Sequence, residues 1–359
     1  MRKALLLTFG LLTSLKSYAI TDSVRFVVNF GLHKSIIIPH RDTLKAPAQG
    51  AYPFSLEASF SWLNYSRKGW EKANAYCNNG VAIGYTNFQK PHILGQGYYF
   101  MLYTEPQITL NKKINLTWTA GVGMIRLTDV FDAERNPTNR FYSNPLSGLL
   151  RIGIKSSFTI TPNWRAVASL SYNHISNGGT RTPNLGMNYP TASVYLEYHF
   201  SHIPLPKYTP DKSYDPSLHW TAQFFTASRL IKAWDANSGR KRMTGLTVYA
   251  SRQFTHTNAW LAGVEASHDE SLPATGAFFG DYYEPTIVSL IGGHQLSIGR
   301  VKFAQALGVY LYKNYENPNA IFQRYTLMYQ LAHHFQVGFS LKAHAEIAEM
   351  LDVRLGITF

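Results

Sequence analysis

His174 and Ser176 stand two residues apart in the segment Asn173-His174-Ile175-Ser176-Asn177-Gly178-Gly179-Thr180-Arg181, which continues as Thr182-Pro183-Asn184-Leu185-Gly186-Met187-Asn188. On an extended strand a spacing of two puts both side chains on one face. A histidine that takes the proton of a serine hydroxyl turns that oxygen into a nucleophile for an ester. The Asn177-Gly178-Gly179 run can aim backbone N–H groups at a developing oxyanion. A rim loop in which Gly, Asn and Pro merely make a turn would contain the same residues, so the neighbouring elements have to decide.

Those elements are strands. Ala166, Ala168, Leu170 and Tyr172 alternate with Ser169, Ser171 and Asn173; Ala192, Val194, Leu196, Tyr198 and Phe200 alternate with Thr191, Ser193, Glu197 and His199. Period-two alternation recurs about every 20 residues, whereas no stretch after residue 20 keeps a helical period. Sixteen such segments can be counted, and fourteen is nearly as good a count. Several connections are very short, such as Asn111-Lys112-Lys113 and Thr161-Pro162, while 33–53, 127–145, 177–189, 230–240 and 269–283 are long and polar. Short turns on one side and long loops on the other are the pattern of an antiparallel outer-membrane β-barrel, broken here by two longer connections on the short-turn side, 65–77 and 201–216. The chain ends Leu355-Gly356-Ile357-Thr358-Phe359, alternating to an aromatic. One closed barrel of about sixteen strands is the preferred expectation. Two tandem eight-stranded barrels joined at the proline-bearing 201–216 are the alternative, because Tyr195 to Phe200 itself reads like a barrel terminus. A periplasmic β-sandwich explains the alternation but not the long strands.

On such a wall His174 and Ser176 prolong the apolar row Ala168, Leu170, Tyr172, and Asn188 joins the row Ala192, Val194, Leu196. All three are therefore expected at the outer rim, facing lipid, where polar groups are costly unless used or close to the headgroups.

Composition agrees with a barrel and removes other classes. The chain has 359 residues, 45% hydrophobic, 14% aromatic and only 15% charged. A mean hydropathy of −0.17 leaves no room for repeated apolar spans of about 20 residues, which excludes a polytopic helical membrane protein. The aromatic content excludes disorder, and the lone Cys77 excludes a disulfide framework or a multi-cysteine metal site. Arg2 and Lys3, the apolar run Ala4 to Leu15 and Ser17-Tyr18-Ala19 read as a signal peptide over 1–19, with the barrel occupying 20–359. Its expected parts are 20–200, the periplasmic connection 201–216, and 217–359. Removing Arg2, Lys3 and Lys16 lowers the formal charge from +13 to +10. Nucleic acid is not an expected partner for an exported chain without a binding motif. Outer-membrane lipid and the barrel assembly machinery are.

His174-x-Ser176-Asn177-x-Gly179 followed by Pro183-Asn184-x-Gly186-x-Asn188 resembles the signature of the lipid A 3-O-deacylase (PagL) family, closest to its longer members labelled acyloxyacyl hydrolases. Gly31-Leu32-His33-Lys34 with Pro39-His40 looks like the family's opening, Gly121-Val122-Gly123-Met124 like its glycine-rich strand, and His294 to Lys313 and Leu341 to Phe359 like its tail. The resemblance implies an outer-membrane esterase that removes an ester-linked acyl chain from lipid A through a Ser-His-acid triad facing the membrane. Carried over, Ser176 is the nucleophile, His174 the general base, and Asn177, Gly178 and Asn184 are oxyanion or positioning candidates. Asn188 stands where the founding members have Glu. An asparagine can orient the histidine but cannot stabilise the imidazolium by charge. A slower esterase, an acid from elsewhere (Asp129 or Asp132), or a barrel without activity would each follow. The competing class is a porin or hydrophobic-substrate channel, for which a sixteen-stranded lumen is wide enough.

The scheme needs no cofactor. His33, His40, His333, His334 and His344 lack metal-ligand spacing and read as structural, His344 with Glu346 as part of an interior network. Lys34, Arg41, Lys45, Arg135, Arg140, Arg181, Lys232 and Arg240 are expected in the long connections, with Lys241 at the edge of one, and Arg181 is the candidate contact for a lipid A phosphate. Trp62, Trp70, Trp118, Trp164, Trp220, Trp234 and Trp260 are the candidates for interface belts.

Overall fold

The computed structural model describes residues 23–110, 114–201, 204–210, 212–231, 239–315, 319–345 and 347–359. The expected signal peptide, Lys232, Trp234 and Glu346 lie outside them. Sixteen antiparallel strands form, as the alternation implies, but they close into two barrels of eight rather than one of sixteen. The first contains β1 (Val24–Ser35), β2 (Phe54–Asn64), β3 (Cys77–Asn87), β4 (Gln96–Leu110), β5 (Ile114–Leu127), β6 (Leu146–Thr159), β7 (Trp164–Ser176) and β8 (Met187–His199). The second contains β9 (Leu218–Leu230), β10 (Arg240–Gln253), β11 (Asn258–Asp269), β12 (Thr286–Ile298), β13 (Val301–Lys313), β14 (Ile321–Gln330), β15 (Phe335–His344) and β16 (Ile347–Thr358).

Two pairings that sequence alternation cannot specify close the barrels separately. β8 turns back onto β1, with His199 opposite Val27 and Thr191 opposite Ser35. β16 closes on β9, with Val353 opposite Thr226 and Thr358 opposite Thr221. The segment between the barrels is tied to the first of them, since Tyr76 donates to the Pro206 carbonyl at 2.6 Å and Trp70 packs on Tyr208. Trp70 is therefore buried beneath the connection and is no belt residue, whereas Trp62, Trp164, Trp220 and Trp260 are exposed on the outer walls.

The apolar rows face outward. Ile152, Leu170 and Val194 are 64%, 62% and 59% exposed, an arrangement that only lipid makes favourable. The polar rows fill the interiors. Glu57 meets Arg151 at 2.5 Å and Tyr99 at 2.7 Å, and Lys155 meets Glu105 at 2.5 Å. In the second barrel Arg324 bridges Glu265 and Asp352, both at 2.6 Å, and Arg354 contacts the same two carboxylates. Buried charges persist only when paired in this way. Eight strands give an interior that side chains fill, so the wide lumen expected of sixteen strands does not form.

Among the described residues three short helices interrupt the connections, where no helical period signals them: α1 (Asp42–Ala48), α2 (Arg67–Glu71) and α3 (Ser271–Phe279). In the first barrel, Leu44 of α1 joins Phe141 and Tyr142 of the 128–145 connection over the inward Ile125, Leu149 and Ile175. Leu272 of α3 packs likewise on Phe225, Met243 and Met350. Both mouths at the long-connection end are thereby stoppered.

Candidate functional site

In the β7–β8 hairpin His174 lies directly opposite Asn188, and side chains so paired are neighbours on one face. The His174 Nδ1–H donates to Asn188 Oδ1 at 2.6 Å. Inward-pointing Asn173 and Ile175 are buried while His174 and Ser176 are half-buried on the outer wall, as the alternation predicts.

Ser176 closes the strand. Its Oγ accepts from Asn184 Nδ2 at 2.9 Å and from Gly178 N at 3.2 Å. Asn184 is itself held because its Oδ1 accepts from Asn177 N at 3.0 Å. No hydrogen bond joins the Ser176 hydroxyl to the His174 ring in this resting geometry, although both share one face. The Asn177 side chain is buried and spent on the turn, donating to the Arg181 carbonyl at 2.8 Å and accepting from Thr180 N at 3.1 Å. Of the three oxyanion candidates, Gly178 and Asn184 thus have donors at the hydroxyl, and Asn177 shapes the loop that presents them.

The 128–145 connection supports the hairpin from behind: Leu185 N donates to the Arg140 carbonyl and Gly186 N to the Phe141 carbonyl at 2.8 Å. Gly186 adopts φ +76°, and a Cβ there would stand 2.8 Å from His174 Cε1. Only glycine combines that backbone with so close an approach to the ring.

Neither loop acid reaches His174. Asp132 accepts from the amides of Glu134 and Arg135. Those amides, Arg135 first, hold its carboxyl below the usual carboxylate range, with the charges of Arg135 and Arg181 adding to the effect. Asp129 accepts from the Thr128 hydroxyl. Arg181 is exposed on the hairpin loop.

The structure adds one residue that strand patterning misses. Past its last ladder pair, β1 continues along β8, with Ile36 N bonded to the Pro190 carbonyl and Ile38 N to the Asn188 carbonyl. Two residues later His40 Nδ1 lies 3.4 Å from Asn188 Nδ2, and His40 Nε2 lies 2.9 Å from the Leu185 carbonyl. The pair Pro39-His40 was visible in the sequence, but its link to Asn188 depends on the pairing that closes the barrel. The other histidines have separate duties: His33 bonds the Ser193 hydroxyl inside the first barrel, and His344 lies between Tyr310 and Glu349 inside the second.

The second barrel touches the hairpin tip. A Cβ at Gly178 would come within 3.1 Å of Leu351 Cβ, and one at Gly179 within 2.7 Å of the Glu349 carbonyl. Arg240, at the start of β10, donates to the Thr180 carbonyl and is fixed by the Ser228 hydroxyl and carbonyl. Glu349 is the extra residue of a β-bulge, since Met350 pairs with Lys342 and Ala348 with Ala343. The bulge interrupts the ladder where the Glu349 carbonyl meets the neighbouring barrel. Below the hairpin a groove of about 650 Å³ runs down the lipid-facing wall past Leu170, Ala168, Ala192, Val194 and Leu32.

Two family models divide the chain along the same boundary. Residues 48–198 match lipid A 3-O-deacylase (PagL), and residues 218–359 match acyloxyacyl hydrolase, C-terminal domain. No curated protein sequence matches significantly. Among solved structures, the outer membrane enzyme PagL is similar at 15% identity, covering 47% of this chain and 98% of its own, with a TM-score of 0.34. Neisserial surface protein A is similar at 15% identity, covering 49% and 97%, with a TM-score of 0.33. With the deacylase family spanning most of one barrel and the acyloxyacyl hydrolase domain all of the other, the chain belongs to the PagL and acyloxyacyl hydrolase family of integral outer-membrane β-barrel proteins.

Proposed function

We propose that this protein is an outer-membrane esterase that releases an ester-linked acyl chain from lipid A. The observation that carries the reading is the placing of Ser176 on the lipid-facing wall at the rim, with two donors on its hydroxyl and a histidine oriented by a side-chain acceptor on the same face. Ser176 Oγ attacks the ester carbonyl while its proton passes to His174 Nε2. In this scheme the Gly178 N–H and Asn184 Nδ2, which bond the Ser176 hydroxyl at rest, shift to the carbonyl oxygen as charge develops on it. The alcohol leaves with the proton from His174, and water, deprotonated by the same ring, releases the fatty acid. The gap between ring and hydroxyl in the resting site is of the kind that closes in the substrate complex. Asn188 supplies orientation without charge.

The long connections then face outward, which puts Ser176 at headgroup depth with the groove beneath it open to an acyl chain. Basic Arg181 at the tip suits a phosphate. The filled interiors give the channel reading no support. Mass spectrometry of lipid A from cells expressing wild type, Ser176→Ala and His174→Ala tests the proposal. Loss of one acyl chain with wild type alone is the expected result; identical lipid A from all three would end the esterase reading.

A further inference from the structure

We infer that His40 is a positioning residue that fixes the proton arrangement of His174 through the side-chain amide of Asn188. The inference rests on the esterase reading for its consequence, but its geometry stands apart from it. It also falls outside the deacylase match, which begins at residue 48.

One partner in the chain of contacts has a polarity that cannot change. The Leu185 backbone carbonyl only accepts, so His40 Nε2, 2.9 Å away, carries the proton. A neutral His40 then has a lone pair on Nδ1. That lone pair faces Asn188 at 3.4 Å and accepts from the Nδ2 donor, which sets which end of the amide points which way. Asn188 Oδ1 is left facing His174 at 2.6 Å, where it takes the Nδ1–H. His174 Nε2 is consequently the ring atom with a free lone pair, the form a general base requires. Four groups in series transmit one fixed direction from a carbonyl to the base.

This order answers the difficulty raised by an asparagine at position 188. A carboxylate accepts from the imidazole whichever way it turns. An amide has two unlike ends, and the wrong one would put a donor against Nδ1 and move the ring proton to Nε2. In a Ser-His-Asp protease the corresponding replacement by Asn costs roughly 10⁴ in kcat through this error of tautomer. Here His40 rules out the wrong end, because a second donor would face an imidazole nitrogen only if the amide turned over and lost its bond to His40. The pathway is set by strand pairing: Ile38 N is bonded to the Asn188 carbonyl, and His40 follows on the same row two residues later.

The test compares wild type, His40→Leu and His40→Gln, each purified as the full chain in detergent and checked for folding by heat-modifiable electrophoretic mobility. Gln can accept from Asn188 with its oxygen and donate to Leu185 with its nitrogen. If the Leu variant does not fold, His40→Ser, too short to reach Asn188, takes its place. Nitrogen-15 NMR of the His174 ring reads the tautomer directly, and kinetics on a detergent-dispersed ester read kcat and KM. The expected result is an Nδ1–H ring in wild type, loss of that preference in His40→Leu, a kcat lowered about tenfold with KM within twofold, and recovery of both in His40→Gln. An unchanged tautomer in His40→Leu overturns the inference. So does a shifted tautomer with unchanged kcat in an active enzyme. If wild type hydrolyses nothing, the esterase reading fails instead, and the ring spectra alone still decide whether His40 orders Asn188.

Discussion

His174 and Asn188 face one another across the β7–β8 ladder and are joined by a 2.6 Å hydrogen bond from the ring Nδ1 to the amide oxygen. Because the pair is set by strand register, the ring and its acceptor are brought face to face by the β7–β8 ladder itself.

Replacing Asn188 by Asp keeps the acceptor and adds charge. A charged acceptor strengthens a hydrogen bond by about 1 kcal/mol over a neutral one, so kcat is expected to rise by roughly tenfold or less. A gain near the 10⁴ associated with correcting a wrong tautomer would mean that the ring is misprotonated in the wild type. Asn188→Leu removes the acceptor, and lipid A deacylation in cells should fall below detection.

Gly186→Ala should lower kcat strongly. The added methyl group would sit 2.8 Å from His174 Cε1 on a backbone with φ +76°. The control is Gly50→Ala, where φ is +70° and nothing lies within 4 Å. Both pay the left-handed backbone penalty of about 1–2 kcal/mol, but only the first should lose turnover. Equal activities in the two variants would remove the ring contact as a cause.

Glu265→Ala leaves Arg324 and Arg354 without a carboxylate they share. Breaking a buried pair in this way costs about 3–5 kcal/mol. Urea unfolding in detergent, followed by heat-modifiable mobility, should show a correspondingly earlier midpoint, while the β7–β8 hairpin in the other barrel keeps its activity.

Planar-bilayer recordings of the purified protein should give no stable porin-like conductance steps. Paired charges occupy both interiors, and α1, α3 and the 128–145 connection stopper the mouths. Reproducible steps would show that the strands can form a wider pore in a membrane.

Strand number, strand facing and the outward row His174, Ser176 and Asn188 are local properties, and alternation carries them. Barrel number is not local. Whether Tyr195 to Phe200 pairs back to β1 or onward to β9 depends on register between segments far apart in sequence, and both choices present the same two-faced pattern. His40 was hidden for the same reason, because it reaches Asn188 only after β1 and β8 have closed. The three helices are too short for a period to emerge. Asn177 could not be separated from Asn184 by spacing, since the distinction is which side chain the turn consumes.

The packing of Gly178 and Gly179 against Leu351 and Glu349, with Arg240 bonded to Thr180, has a consequence for traffic in the plane of the membrane. A lipid diffusing laterally meets a single barrel from every compass direction. Here the neighbouring barrel abuts the hairpin tip, so one direction of approach to the Ser176 rim is closed by protein rather than open to lipid. For the proposed esterase the encounter then becomes directional, with the appended barrel acting as a breakwater on that side.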